Sequence, residues 1–557
     1  MNRSPERIHR YWLLRFLDRW GNPRGIIRLT WLLLLAGLAW RFLRYALRFP
    51  LFGDEAFLAI NLLTRDFNGL IGSLEYNQIV SAGFMWLELA VVKLLGGSEY
   101  ALRLLPFLSG LAALIFFWKW VSEILPKREV LLAVGLFAGG YYLVRHGTEL
   151  KPYALDVLLA VLFNWLVWKI VQQKPRLIFC LVVLILSLLG PWISYPFIFI
   201  AGGQILFLGM LAIKKRSGFQ LTFSAFLGVL LFFSFLSLYL FHIFPQSQSA
   251  HDYFTDWMEW NMAFPPISEP WMIPWWLLKV HTGLMMAYPI GSDRGGSIIT
   301  FLLVLLGLTT LWRRGDRKLL GFLLAPLVVA FLAACLQKYP YGTTARTMLY
   351  MAPAFCLLMG VGLMKALKIC LPKRRVSAGM VSAACFFFII LFAGAVRDIL
   401  RPYKELQDYH LRQAFQGMLL RSSPFDQWIV FSDYGPRSPD GLRVGGGGAV
   451  FRYYLMTMVP SVKGVWSAAK WPPEKSFPFP DQVEANRKTH LLAYRGDRGT
   501  FNELQWIAYL RSLERRLGPG QRQIFFLKRT KKAEGQELAV EAYTFSPGTR
   551  CWGQGLQ

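Results

Sequence analysis

Eleven runs of about 20 apolar residues recur along this chain, and they constrain it more than any other feature. They fall at roughly 27–48, 101–122, 129–146, 152–171, 176–194, 195–213, 219–243, 295–312, 319–336, 347–367 and 376–396. Hydrocarbon offers the backbone no water to bond, so runs of this length fold as membrane-crossing helices. Charged residues make up only 17% of the 557, against about 25% in an ordinary soluble domain. A soluble multidomain protein is excluded.

The net charge is +28, which in a soluble protein would indicate nucleic acid. Its placement argues otherwise. Basic residues cluster before the first run (Arg3 to Arg28) and after the second (Lys127, Arg128), the fourth (Lys174, Arg176) and the sixth (Lys214, Lys215, Arg216). They cluster again after the eighth (Arg313, Arg314, Arg317, Lys318) and the tenth (Lys368, Lys373, Arg374, Arg375). Every second loop is basic. By the positive-inside bias this predicts a cytoplasmic N-terminus, an odd number of spans and an exported C-terminus. It leaves little reason to invoke nucleic acid. The first 28 residues hold seven arginines and no early apolar run, so the first helix reads as an uncleaved anchor. The six cysteines have neither metal-ligand spacing nor a disulfide pattern; five lie in or beside apolar runs, and Cys551 stands apart in the polar tail.

The expected division is a basic cytoplasmic segment (1–26), a transmembrane domain (27–396) and an exported soluble domain (397–557). The first exported loop covers 49–100. Within it GFMWLELAVVKLLGG (83–97) is short and carries Glu88 and Lys93, so it reads as a helix on the membrane surface. Past 397 the runs WIVFSD (428–433), HLLAYRG (490–496), QIFFLKR (523–529) and LAVEAYTF (538–545) are strand-like, and FNELQWIAYLRSLERRL (501–517) is helix-like. The predicted fold is an α-helical polytopic membrane protein of about eleven spans with a small C-terminal α/β domain outside the membrane.

Three groups of polar residues stand at the exported ends of these spans. Asp54 and Glu55 follow the first. An adjacent carboxylate pair there serves either as a general base or cation ligand, or as the cap of the next helix. Arg145, His146, Glu149, Lys151 and Tyr153 crowd one short turn; ionisable groups at such a depth mark either a site or a solvated turn with snorkelling side chains. Tyr339, Tyr341 and Arg346 place an arginine behind aromatic rings, as a phosphate clamp or as part of an interfacial belt. His251 and Asp252 lack a third ligand at suitable spacing and read as surface residues. The glycines at 445–448 lack the Lys-Ser/Thr of a phosphate-binding loop.

The segments GDEAFLAINLL (53–63), NQIVSAGFMWLELAVVKLLGGSEYALRLLPFLSGL (77–111) and TELKPYALDVLLAVL (148–162) stand in an order that resembles the GT-C superfamily of lipid-dependent glycosyltransferases. Within it they are similar to the protein O-mannosyltransferase, aminoarabinose transferase and RgtA/B/C/D-like group, glycosyltransferase families 39 and 83. The resemblance covers roughly residues 27–215. It implies a multi-pass enzyme of the cell membrane. Such an enzyme moves a sugar from a polyprenyl-phosphate lipid to a hydroxyl of a protein, lipid or glycan on the exported face, by inverting attack. It further implies Asp54, with Glu55 beside it, as the catalytic acidic residue. Glu149 and Lys151 match the later acidic and basic positions, with Tyr153 beside them, and Arg346 is a donor-phosphate candidate by layout. Gln78 and His146 are further candidates. A divalent metal is compatible with the resemblance but not required by it. Ser81, Ala82 and Gly83 depart from the prolines common in the family. Two other readings stay open: a transporter or flippase of a lipid-linked glycan, and a catalytically inactive relative acting through an envelope partner.

Overall fold

The computed structural model of the chain describes residues 20–172, 176–249, 262–293 and 295–419, and in the C-terminal part 422–423, 426–432, 435–437, 443–444, 446–458, 465–468, 486–494, 503–527 and 538–546. His251, Asp252, Gly445 and Cys551 lie outside the described residues. By packing, the chain forms two compact units. The first comprises Met1–Leu47, Ile79–Val91 and Arg103–Leu400; the second comprises Arg48–Gln78, Val92–Leu102 and Arg401–Gln557.

The first unit is helical. Eight helices among the described residues are long and apolar enough to cross a membrane: Pro23–Ala46, Ala101–Ile124, Tyr153–Val171, Phe197–Lys215, Gly218–Gln248, Arg317–Cys335, Arg346–Cys370 and Val376–Leu400. Two more apolar helices, Leu177–Ile193 and Ile298–Arg313, have 17 and 16 residues. At 1.5 Å per residue each reaches about 25 Å, a little short of a hydrocarbon core of about 30 Å. These ten coincide with ten of the expected runs. The remaining run, 129–146, is not one continuous helix. It divides into Lys127–Ala138 and Tyr141–His146 around Gly139 and Gly140. Adjacent glycines carry the largest helix penalty of any residue but proline, which explains why an unbroken apolar run does not give an unbroken helix.

The spans pack through small residues. A Cβ on Gly307 of the Ile298–Arg313 helix would overlap the Leu358 carbonyl oxygen, and one on Gly362 would overlap that of Leu303. Two glycines, one from each helix, therefore let backbones meet where lipid gives no hydrophobic drive to associate.

The second unit holds a five-stranded sheet in the order β4-β1-β5-β7-β6. Its strands are β1 (Gln427–Ser432), β4 (Val465–Ala468), β5 (Thr489–Tyr494), β6 (Gly520–Leu527) and β7 (Leu538–Phe545); β2 (Gly435–Arg437) and β3 (Arg443–Val444) form a separate pair. β1 runs parallel to β4 and β5, while β7 is antiparallel to β5 and β6. Each strand-like run of the sequence contributes a strand, and the helix-like run gives Glu503–Leu517.

First-loop residues belong to this unit too. The Gly53–Thr64 helix packs on the Gly446–Met458 helix, where Arg452 Nη1 donates to Glu75 Oε2 (2.8 Å) and to the Tyr76 hydroxyl (2.9 Å). Glu99 is fully enclosed by Arg48 (2.7 Å), Arg412 (3.2 Å) and the Tyr454 hydroxyl (2.7 Å).

Two expectations follow. Gly362→Leu should sharply reduce folded yield, measured by size-exclusion recovery in detergent. In the sheet, buried His490 bonds Asp426 through Nε2 (2.8 Å) and Thr544 through Nδ1 (3.2 Å). Burial lowers its imidazole below the ordinary value, with Asp426 pulling the other way. Below about pH 6.5 the unfolded chain takes up the proton first, so stability is full above that value and falls as pH drops through the lowered folded value. Thermal melts at about pH 7.5 and about pH 5.5 should show this loss, and His490→Gln should flatten it.

Candidate functional site

The polar turn of the first unit begins where the Tyr141–His146 helix ends. Glu149 comes three residues after His146 and four after Arg145, so its carboxylate reaches both. Arg145 Nε donates to Oε1 at 2.7 Å, and His146 Nδ1 lies 2.7 Å from Oε2. Glu149 is 4% exposed and His146 5%, so these charge-assisted bonds are made largely out of water. The His146 ring stacks with Tyr142 (6.1 Å) and meets Tyr153 edge-on (5.0 Å). Lys151 is buried two residues further on, its amide donating to the Glu149 carbonyl at 2.7 Å.

A second segment faces this turn. Arg346 opens the tight helical turn Arg346–Met351, and its charge acts on His146. Tyr339 donates its hydroxyl to the Thr347 carbonyl at 3.0 Å and packs on Phe199. Burial, with the nearby Asp156 and Tyr153, pushes the Tyr339 hydroxyl well above its usual range, so it remains a donor. Tyr341 is engaged elsewhere, against Trp276 and with His281 at 3.3 Å. The structure thus gathers Arg145, His146, Glu149, Lys151, Tyr153, Tyr339 and Arg346 into one region. Its three cationic side chains exceed its one carboxylate, which suits an anionic ligand.

Asp156 is the residue that sequence reasoning missed. It lies 5% exposed in the Tyr153–Val171 helix, with Oδ1 accepting no hydrogen bond among the described residues. A lone carboxylate in the first turn of an apolar helix resembles an ordinary cap. The signal available was its position inside a membrane run, where ionisable groups are costly.

In the second unit, Asp54 and Glu55 occupy the first turn of Gly53–Thr64, where the helix dipole favours negative charge. Glu55 is 1% exposed and accepts from the Phe52 amide at 3.4 Å, so it does cap this helix; Asp54 is half-buried. The charge of Glu55 also acts on Asp408, another residue the sequence did not single out. Burial and Glu405 push the Asp408 carboxyl well above the carboxylate range, with Glu55 adding to them and Lys404 opposing. Gln78 Nε2 donates to the Tyr76 carbonyl at 3.0 Å. It thereby supports a strained corner: Tyr76 and Asn77 hold φ of 64° and 51°, and Tyr76 stacks on Phe57 at 4.7 Å. Among the described residues no group of three or more His, Cys, Asp or Glu side chains is arranged to hold a metal ion.

No protein-family model and no curated protein matches the sequence. Among solved structures the chain is similar to the crystal structure of ArnT from Cupriavidus metallidurans in the apo state. The TM-score is 0.51 at 11% identity, over 92% of this chain and 97% of that one. The fold is of the GT-C kind. The same protein bound to undecaprenyl phosphate aligns with a TM-score of 0.47 and 11% identity, over 92% and 97% of the two chains. The Archaeoglobus fulgidus oligosaccharyltransferase, in complex with Zn and sulfate, gives 0.47 and 13% over 79% of this chain and 62% of that one. At these identities the likeness is one of fold.

Glu149→Gln removes the charge that both Arg145 and His146 face and leaves the buried partners uncompensated. It should cost about 3 kcal/mol of stability, the usual consequence of breaking a buried ion pair from one side. Chemical denaturation in detergent checks the figure.

Proposed function

We propose that this protein is a membrane glycosyltransferase that takes a sugar from a polyprenyl-phosphate-linked donor and passes it to an acceptor hydroxyl. The observation that carries the reading is the gathering of Arg145, Lys151 and Arg346 around one buried turn of the helical unit. Cations are expensive at such a place, and a lipid phosphate is a ligand that would use them. The GT-C fold supports the reading, as does the binding of undecaprenyl phosphate by ArnT.

The proposed chemistry is an inverting displacement. The acceptor oxygen attacks the anomeric carbon, the bond from that carbon to the donor phosphate oxygen breaks, and the lipid phosphate leaves with the electron pair. The acceptor proton passes to a carboxylate. Asp54 is the proposed base, since Glu55 is occupied as a helix cap. Arg145, Lys151 and Arg346 are proposed to meet the charge that grows on the leaving phosphate. Glu149, bonded through both oxygens, holds Arg145 and His146 in place for that task. The site is proposed to face the exported side, with the sheet-bearing domain (397–557) also exported.

Asp54→Asn keeps the shape of the side chain and removes its basicity. In membranes supplied with labelled polyprenyl-phosphate sugar it should lower transfer by about a hundredfold or more at equal protein level. Undiminished transfer would overturn the assignment of the base.

A further inference from the structure

The turn that carries Arg145, His146 and Glu149 is itself held by a buried polar clasp. Thr148 is its point of attachment. The Thr148 hydroxyl donates to the Arg145 carbonyl at 3.1 Å and accepts from Arg44 Nε at 2.9 Å. Arg44, near the end of the first span, pairs through Nη1 with Asp398 Oδ1 at 2.5 Å. Asp398, near the end of the last described span, takes the Trp40 indole N–H on its other oxygen at 2.9 Å. The Arg44 and Asp398 side chains are 5% and 3% exposed.

A second arginine of the first helix grips the other end of the same segment. Arg41 Nη1 donates to the Ala138 carbonyl (3.2 Å) and Nη2 to that of Phe137 (3.4 Å). These carbonyls lie at the end of Lys127–Ala138, immediately before the break at Gly139 and Gly140, where the regular helical ladder stops. Residues 137–148 are thus tied at both ends to the first span, and through Asp398 to the last. Arg397 adds a contact over the Tyr141 ring at 4.7 Å.

A buried ion pair adds little net stability over an apolar packing of similar volume. It fixes geometry well, because two directed bonds from one planar guanidinium set its orientation. We propose that Trp40, Arg44, Asp398 and Thr148 form a positioning relay that sets the Arg145–Glu149 turn for an anionic lipid phosphate. Thr148 is its final link. The proposal rests on the reading that this turn meets the donor phosphate. None of the four touches the reacting atoms; they act through the turn.

The test uses the full-length protein in nanodiscs, with undecaprenyl phosphate as the probe. Thr148→Val removes the hydroxyl and keeps the shape, Thr148→Ser restores the hydroxyl, and Asp398→Asn removes the charge that orients Arg44. Affinity is read by native mass spectrometry, hydrogen exchange over residues 141–151 reports the turn, and a thermal melt reports global folding. Thr148→Val and Asp398→Asn should each weaken binding about tenfold, the usual effect of one lost charge-assisted hydrogen bond. Exchange in the turn should quicken, and Thr148→Ser should restore both readouts. If Thr148→Val binds the lipid as tightly as the unsubstituted protein, or leaves exchange in the turn unchanged, the relay is overturned while the donor reading stands. If the unsubstituted protein does not bind undecaprenyl phosphate, the donor reading falls and takes the relay's role with it.

Discussion

Hydrocarbon cannot hydrogen-bond, and that one constraint governs the whole of the first unit. Any polar group brought into the bundle has to find its partner in the chain. Most of the buried charges are matched, Glu129 with Arg314, Glu149 with Arg145 and His146, Arg44 with Asp398, while Asp156 Oδ1 and both carboxylate oxygens of Glu88 accept no hydrogen bond among the described residues. Where helices need to approach closely, glycine removes the side chain that would keep the backbones apart, as at Gly307 and Gly362. The price of polarity is therefore met locally, and the polar residues end up as compact clusters rather than as a scatter through the spans.

The second unit obeys a different economy. Its five-stranded sheet is assembled from strands of four to eight residues. Yet its polar interior is also concentrated, on Glu99 and on the His490–Asp426 pair. Glu99 lies in the 92–102 stretch and receives bonds from residues as distant in sequence as Arg412 and Tyr454. Such a carboxylate draws first-loop and tail segments into one body. That body also contains Asp54 and Glu55, so the loop that bears the carboxylate pair is organised by residues more than 300 positions away in sequence.

The spans were legible because their signal is additive over about 20 residues, and no tertiary contact can reverse it. The break at Gly139 and Gly140 was less so, since hydropathy averages over a pair of glycines that backbone propensity does not forgive. Within the candidate site the turn at 145–153 stood out by its density of charge. Asp156 and Asp408 did not, because a single acidic residue at a helix start has an ordinary explanation and only enclosure by other segments makes it unusual. Glu55 shows the converse: both readings of the carboxylate pair were open from sequence, and its bond to the Phe52 amide gives it the capping role.

The sequence by itself determined that the chain is a bundle of membrane helices with a small α/β appendage, because periodicity and run length are local properties. It also supplied the GT-C resemblance, carried by three short segments in order. Tertiary structure decided which of the many charged residues act together. Arg346 is 200 residues from His146 and Asp398 is 250 from Thr148, yet the fold brings the first pair within electrostatic reach and links the second through Arg44. Pairing over such separations depends on how helices cross, which no local run of sequence encodes.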